Sequence, residues 1–161
     1  MSGVFDRLRD LVGGFAPASD APDEDERLRV ATAALMVRVI EADGKVTETE
    51  RAELRRALTE ATGLDDAELD ALAEAGRAAD HGATDLNEHT SLIRRAVDME
   101  MRVRLVGMLY ELAFADDELH EGEDATVERI ASLLGVDPRD RVLARKAAAD
   151  RRGTSPLPRA G

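Results

Sequence analysis

Apolar residues recur at three- and four-residue intervals along most of the chain, with short polar turns between the runs, which is the pattern of consecutive amphipathic helices. Leu28, Ala31, Leu35 and Val39 share one face of a helix that runs to about Ala42. Leu54, Leu58 and Ala61 give the face of a second, ending near Gly63, and Leu69, Leu72 and Ala73 that of a third, from Asp65 to the turn around Gly82. A helix through Leu92, Ile93 and Ala96 leads into an apolar helix over 101–115, in which Leu105, Met108, Leu109 and Leu112 face inward. Val127, Ile130, Ala131 and Leu134 line the next. Asp137-Pro138 predicts the start of a last helix, because Asp caps and Pro suits the first helical position.

Ahead of this body, Val4, Phe5, Leu8, Leu11, Val12 and Phe15 predict an amphipathic helix over 1–15. A linker at 16–24, rich in prolines and acids and without periodicity, follows it. Residues 25–149 then read as one helical domain, and 150–161 as a tail without order signals. The expected fold is all-α: a compact bundle of about seven to eight helices.

The pattern is also written twice. Residues 40–58, IEADGKVTETERAELRRAL, align with 113–131, AFADDELHEGEDATVERIA, at a spacing of 73. Ala42 matches Ala115, Asp43 matches Asp116, Val46 matches Leu119, Glu48 matches Glu121 and Glu50 matches Glu123. The bundle is thus predicted to be built from two related helix–acidic turn–helix units.

Composition narrows the chemistry. With three Phe, one Tyr and no Trp, the core must come from Leu, Val, Ile, Met and Ala, which suits close-packed helices. The absence of cysteine removes disulfides, thiolate nucleophiles, thiolate zinc sites and iron–sulfur clusters. No run approaches the roughly 20 apolar residues of a membrane span. Asp6, Arg7, Arg9 and Asp10 interrupt the place of a signal peptide's apolar stretch, so the expectation is a cytoplasmic protein. The net charge of -12 is uneven: residues 139–161 hold seven basic against two acidic residues, which leaves 1–138 at -17. A body this acidic repels nucleic acid and anionic lipid and favours cations or basic partners.

The two turns concentrate that charge. Residues 116–128 hold seven acids, one His and no Lys or Arg. Thr47 and Glu50 have the spacing of a capping box, worth about 1 kcal/mol to the helix without any metal. Asp43 and Asp116 stand where a helix ends, facing the negative end of its dipole at a cost of about 0.3–1 kcal/mol each. If the turns met, two carboxylates about 6 Å apart would repel by roughly 2–3 kcal/mol at an effective dielectric near 20, and a hard cation such as Ca²⁺ or Mg²⁺ would relieve the repulsion. The spacing is not that of an EF-hand, because Gly44 directly follows the first Asp and Glu50 comes only seven residues on. On the residues alone, a solvated acidic surface and a metal site both fit.

EADGKVTETE and FADDELHEGE, each ahead of a helix, resemble the paired turns of the tellurite-resistance TerB-like proteins. The likeness extends to FDRLRDL near the N-terminus, DLNEHTSLIRRAV before the second unit and IASLLGVD after it, and covers most of 1–145. The resemblance implies a compact helical domain with a divalent-metal site, whose ligands would be Asp43 and Glu50 in the first unit and Asp116 and Glu123 in the second. Asp117 departs from the Gly that the family often has there. A role in tellurite resistance or wider stress responses is implied, as a metal-binding or scaffold protein rather than a catalyst.

An enzyme is the least supported class: His81, His89 and His120 are isolated, and neither a nucleophile elbow nor a phosphate-binding loop occurs. His120 is expected to begin the helix after the second turn. The rival to a divalent-cation site is a metal-independent interaction module whose acidic surface attracts a basic or membrane-associated protein partner, or the chain's own Arg141, Arg145, Lys146, Arg151 and Arg152. The blander reading of those five is a favourable helix C-terminus and a soluble tail.

Overall fold

The computed structural model describes residues 24–42, 47–62, 65–82, 86–115 and 118–158, and the expected N-terminal helix at 1–15 and most of its linker lie outside them. The described residues form an all-α bundle of seven helices: α1 (Glu24–Ile40), α2 (Glu48–Thr62), α3 (Asp66–Gly82), α4 (Asn87–Ala96), α5 (Met99–Ala113), α6 (Glu121–Leu133) and α7 (Pro138–Arg152). Their boundaries follow local chemistry. Asp98 caps α5 by accepting the Met101 N–H at 2.9 Å, and Asp137 caps α7 by accepting the Arg139 N–H at 2.9 Å with Pro138 in the first position. Gly135, at φ +76°, ends α6 in a Schellman turn: its own N–H donates to Ser132 and the Val136 N–H to Ala131.

α1 is the axis of the bundle. It packs most extensively against α3 and also touches α2, α4, α5 and α6. The single inward face expected from Leu28, Ala31, Leu35 and Val39 is therefore too narrow, since Ala33, Ala34, Met36, Val37 and Ile40 are buried as well. A helix surrounded by others has no solvent face to keep polar. Ala33 meets Gly76 of α3 so closely that a Cβ on Gly76 would stand 2.8 Å from the Ala33 Cβ. α5 is the second axis, with Leu105, Met108, Leu109, Tyr110 and Leu112 buried against α6 and α7. Val127, Ile130, Ala131 and Leu134 are buried as the periodicity predicts. α7 runs on through Asp150–Arg152, three residues into the segment read as tail.

The two helix–turn–helix units leave and re-enter helix in the same way. After α1, the Glu41 N–H bonds to the Val37 carbonyl and the Ala42 N–H to Val39; 73 residues later, Phe114 bonds to Tyr110 and Ala115 to Leu112. At the entries, the Arg51 N–H bonds to Thr47 and the Asp124 N–H to His120, again 73 apart. Each turn thus hangs between matched helix ends.

Candidate functional site

α1 and α6 bring the two units into contact. Gly122, in the first turn of α6, lies against the Ala42 backbone at the exit of α1: a Cβ added to Gly122 would stand 3.3 Å from the Ala42 carbonyl oxygen. The start of the second unit's outgoing helix therefore abuts the point where the first acidic turn begins. A Cβ at that distance is tight, and the two helix ends would have to give by a few tenths of an ångström to admit it.

Next to Gly122, the Glu123 side chain is buried, with only 2% of the residue exposed. It folds back to the helix start, where one carboxylate oxygen accepts the His120 N–H at 3.3 Å. His120 is the residue before the helix, as the sequence predicts, and Glu123 takes the carboxylate position of a capping box. The positive end of the α6 dipole favours an anion there. Of the four ligand positions that the resemblance implied, Glu123 is thus placed beside the Gly122–Ala42 contact. Asp43 and Asp116 lie outside the described residues; Glu50 falls within α2, with its side chain outside the described part.

A second polar cluster joins α5, α6 and α7. Tyr110, fully buried in α5, accepts a hydrogen bond from Arg141 of α7 at 2.9 Å and directs its hydroxyl towards Asp124 of α6 at 3.4 Å. Asp124 in turn pairs with Arg145 of α7 at 3.3 Å, with both side chains largely covered. Burial raises the Tyr110 phenol above its ordinary range; the nearby Asp124 charge adds to that rise, and the Arg141 bond works against it. One signal for this cluster is present in the sequence, a lone Tyr inside an apolar helix whose hydroxyl needs a partner, but its two partners lie 14 and 31 positions on.

The rest of α7 continues the theme. Arg151 pairs with Glu111 of α5, while Arg152 reaches Glu53 of α2 at 3.2 Å and the Ala115 carbonyl, at the exit of α5, at 3.5 Å. Arg141, Arg145, Arg151 and Arg152 are therefore bound to the body of the bundle rather than part of a solubilising tail. Lys146 is exposed. The carboxylates that these arginines cover are Asp124, Glu111 and Glu53.

The fold and site together define a class: an all-helical domain in which the first turn of α6, in the second helix–turn–helix unit, lies against the exit of α1 in the first. Residues 29–146, which include both turns and reach well into α7, match the family described as tellurite resistance protein TerB, and the chain belongs to that family. No curated protein and no solved structure matches it. Among the described residues no helix is long and apolar enough to cross a membrane.

Proposed function

We propose that this TerB domain is a non-catalytic module that binds a divalent cation between its two acidic turns, in a tellurite-resistance or stress-response role. The observation that carries the reading is the contact of Gly122 with the Ala42 carbonyl, next to the buried carboxylate of Glu123. That contact sets the exit of α1, just before the first acidic turn, against the start of α6, just after the second. Removing a carboxylate from water costs several kcal/mol, and nearby positive charge offsets that cost. The donor set is all oxygen, from Asp43, Glu50, Asp116 and Glu123, which suits Ca²⁺ or Mg²⁺ better than softer ions.

Calorimetric titration of Ca²⁺, Mg²⁺, Mn²⁺ and Zn²⁺ into the protein and an Asp43→Asn/Asp116→Asn variant tests this. Saturable binding of a hard cation that the double substitution abolishes is the expected result, and no binding into the millimolar range refutes it. The second reading, a metal-independent interaction module, draws on the pairing of α7 arginines with Asp124, Glu111 and Glu53. That pairing shows the acidic surface engaging guanidinium groups, the chemistry a basic partner would bring. A fold and partner binding indifferent to chelators would favour it.

A further inference from the structure

Far from the acidic turns in sequence, three arginines converge. Arg94 and Arg95 in the last turn of α4 and Arg102 near the start of α5 line, with Ser91, an open concavity of about 370 Å³. Among the described residues no carboxylate lines it. Among the described residues none of the three arginines makes an ion pair, in a chain whose net charge is -12. The neighbouring Asp98 is engaged at the α5 N-terminus, where it accepts the Met101 N–H.

Part of this arrangement serves the fold. Arg102 donates through Nη1 to the Leu134 carbonyl at 3.1 Å and through Nε to Val97 at 3.2 Å, and Arg94 reaches the Leu133 carbonyl at 3.5 Å. These bonds satisfy the last carbonyls of α6 and the carbonyl that ends α4. They do not account for the charge, because the C-termini of α4 and α6 each carry only about half a negative charge, leaving roughly two positive charges uncompensated. Arg95 takes no part in the cap, being exposed and without a hydrogen bond among the described residues. Gly135 lies beside two of the guanidinium groups: a Cβ there would stand 3.6 Å from Arg102 Nη1 and 3.9 Å from Arg94 Nη2, in ordinary contact with both.

Planar guanidinium forks beside a hydroxyl are the donors that oxyanions take, and the uncompensated charge selects a dianion over a single carboxylate. A phosphate monoester carries about -1.5 to -2 at neutral pH and offers three acceptor oxygens. A nucleic acid or anionic membrane would bring many phosphates against the acidic body, whereas a lone monoester would not. We propose that Ser91, Arg94, Arg95 and Arg102 form a binding site for a phosphate monoester group. The site is independent of the cation reading and uses none of its residues.

The test is titration of the full chain, exchanged out of phosphate and sulfate, followed by amide NMR shifts. Inorganic phosphate, a phosphoserine peptide with neutral flanks and its unphosphorylated counterpart are the probes. Saturable shifts around Ser91, Arg95 and Arg102 with either phosphorylated probe, weakened by at least about tenfold in Arg95→Glu and unchanged in Arg27→Ala, are expected. A peptide preferred about tenfold over inorganic phosphate identifies a protein-borne group, and equal binding a free one. Arg95 supports no contact in the fold, so loss of binding in that variant does not reflect unfolding, which unchanged circular dichroism would verify. No saturation into the millimolar range, or equal binding by Arg95→Glu, overturns the proposal.

Discussion

The same substitution placed in two helices should move stability in opposite directions. Gly76 lies in the middle of α3 and Gly107 in the middle of α5, and replacing either by Ala improves helix propensity by up to about 1 kcal/mol. At Gly107 a new Cβ meets nothing within 4 Å among the described residues, so that gain stands alone. At Gly76 the new Cβ lies 2.8 Å from the Ala33 Cβ, 2.9 Å from the Ala33 carbonyl carbon and 3.1 Å from the Ala34 nitrogen. Carbon atoms prefer about 3.5–4.0 Å, so the overlap is on the order of 0.7–1 Å against atoms that cannot rotate away. Relief requires α3 to back off from α1, its most extensive partner, and to loosen Leu72 in the process. Overpacking of this kind costs about 1–3 kcal/mol, which outweighs the propensity gain.

Gly107→Ala should therefore stabilise by about 0.5–1 kcal/mol and Gly76→Ala destabilise by about 1–2 kcal/mol, or several degrees in Tm in each direction. Urea denaturation followed by circular dichroism at a helix wavelength measures both, and an unchanged m-value would assign the shift to the native state. A Gly76→Ala protein as stable as the wild type, or more stable, would refute the close α1–α3 approach on which the central position of α1 rests.

Two further outcomes follow from the site and its surroundings. Gly122→Val adds bulk 3.3 Å or less from the Ala42 carbonyl and removes no carboxylate, so it should weaken divalent-cation binding about tenfold or more in calorimetry if the turns act together; unchanged affinity would separate the two turns. Tyr110 is the only tyrosine in the chain, so ultraviolet absorbance reports its ionisation without ambiguity. Its pKa is raised in the folded state, chiefly by burial, so its contribution to stability is complete below the unfolded value of about 10 and is lost as pH rises through the folded value. The phenol should titrate at higher pH in the native protein than in urea, and coincident curves would exclude its burial.

What the sequence displays and what it conceals divide along the distance between cause and effect. Asp137-Pro138 reads correctly as a helix start because cap, proline and first turn are adjacent, and His120 reads correctly because the acidic turn before it breaks the helical period. The matched exits of α1 and α5 follow from a repeat that is visible as letters. Burial of Ala33, Ala34, Met36 and Val37 was not legible, since an apolar helix pattern does not state how many neighbours will surround it. Nor was Gly76, an ordinary helical glycine until Ala33 is opposite it. The candidate site divides in the same way: the duplication is visible as letters and the resemblance implies Asp43, Glu50, Asp116 and Glu123, but only the packing of α6 on α1 brings Gly122 to Ala42 and buries Glu123 beside that contact. Charge shows the limit most clearly. A net -12 describes an acidic protein, yet α7 sends Arg145, Arg151 and Arg152 back onto acidic side chains while Arg94, Arg95 and Arg102 gather without any. A sum over residues cannot separate cations already neutralised within the fold from cations still available to a ligand, and that distinction decides which surfaces of this protein bind.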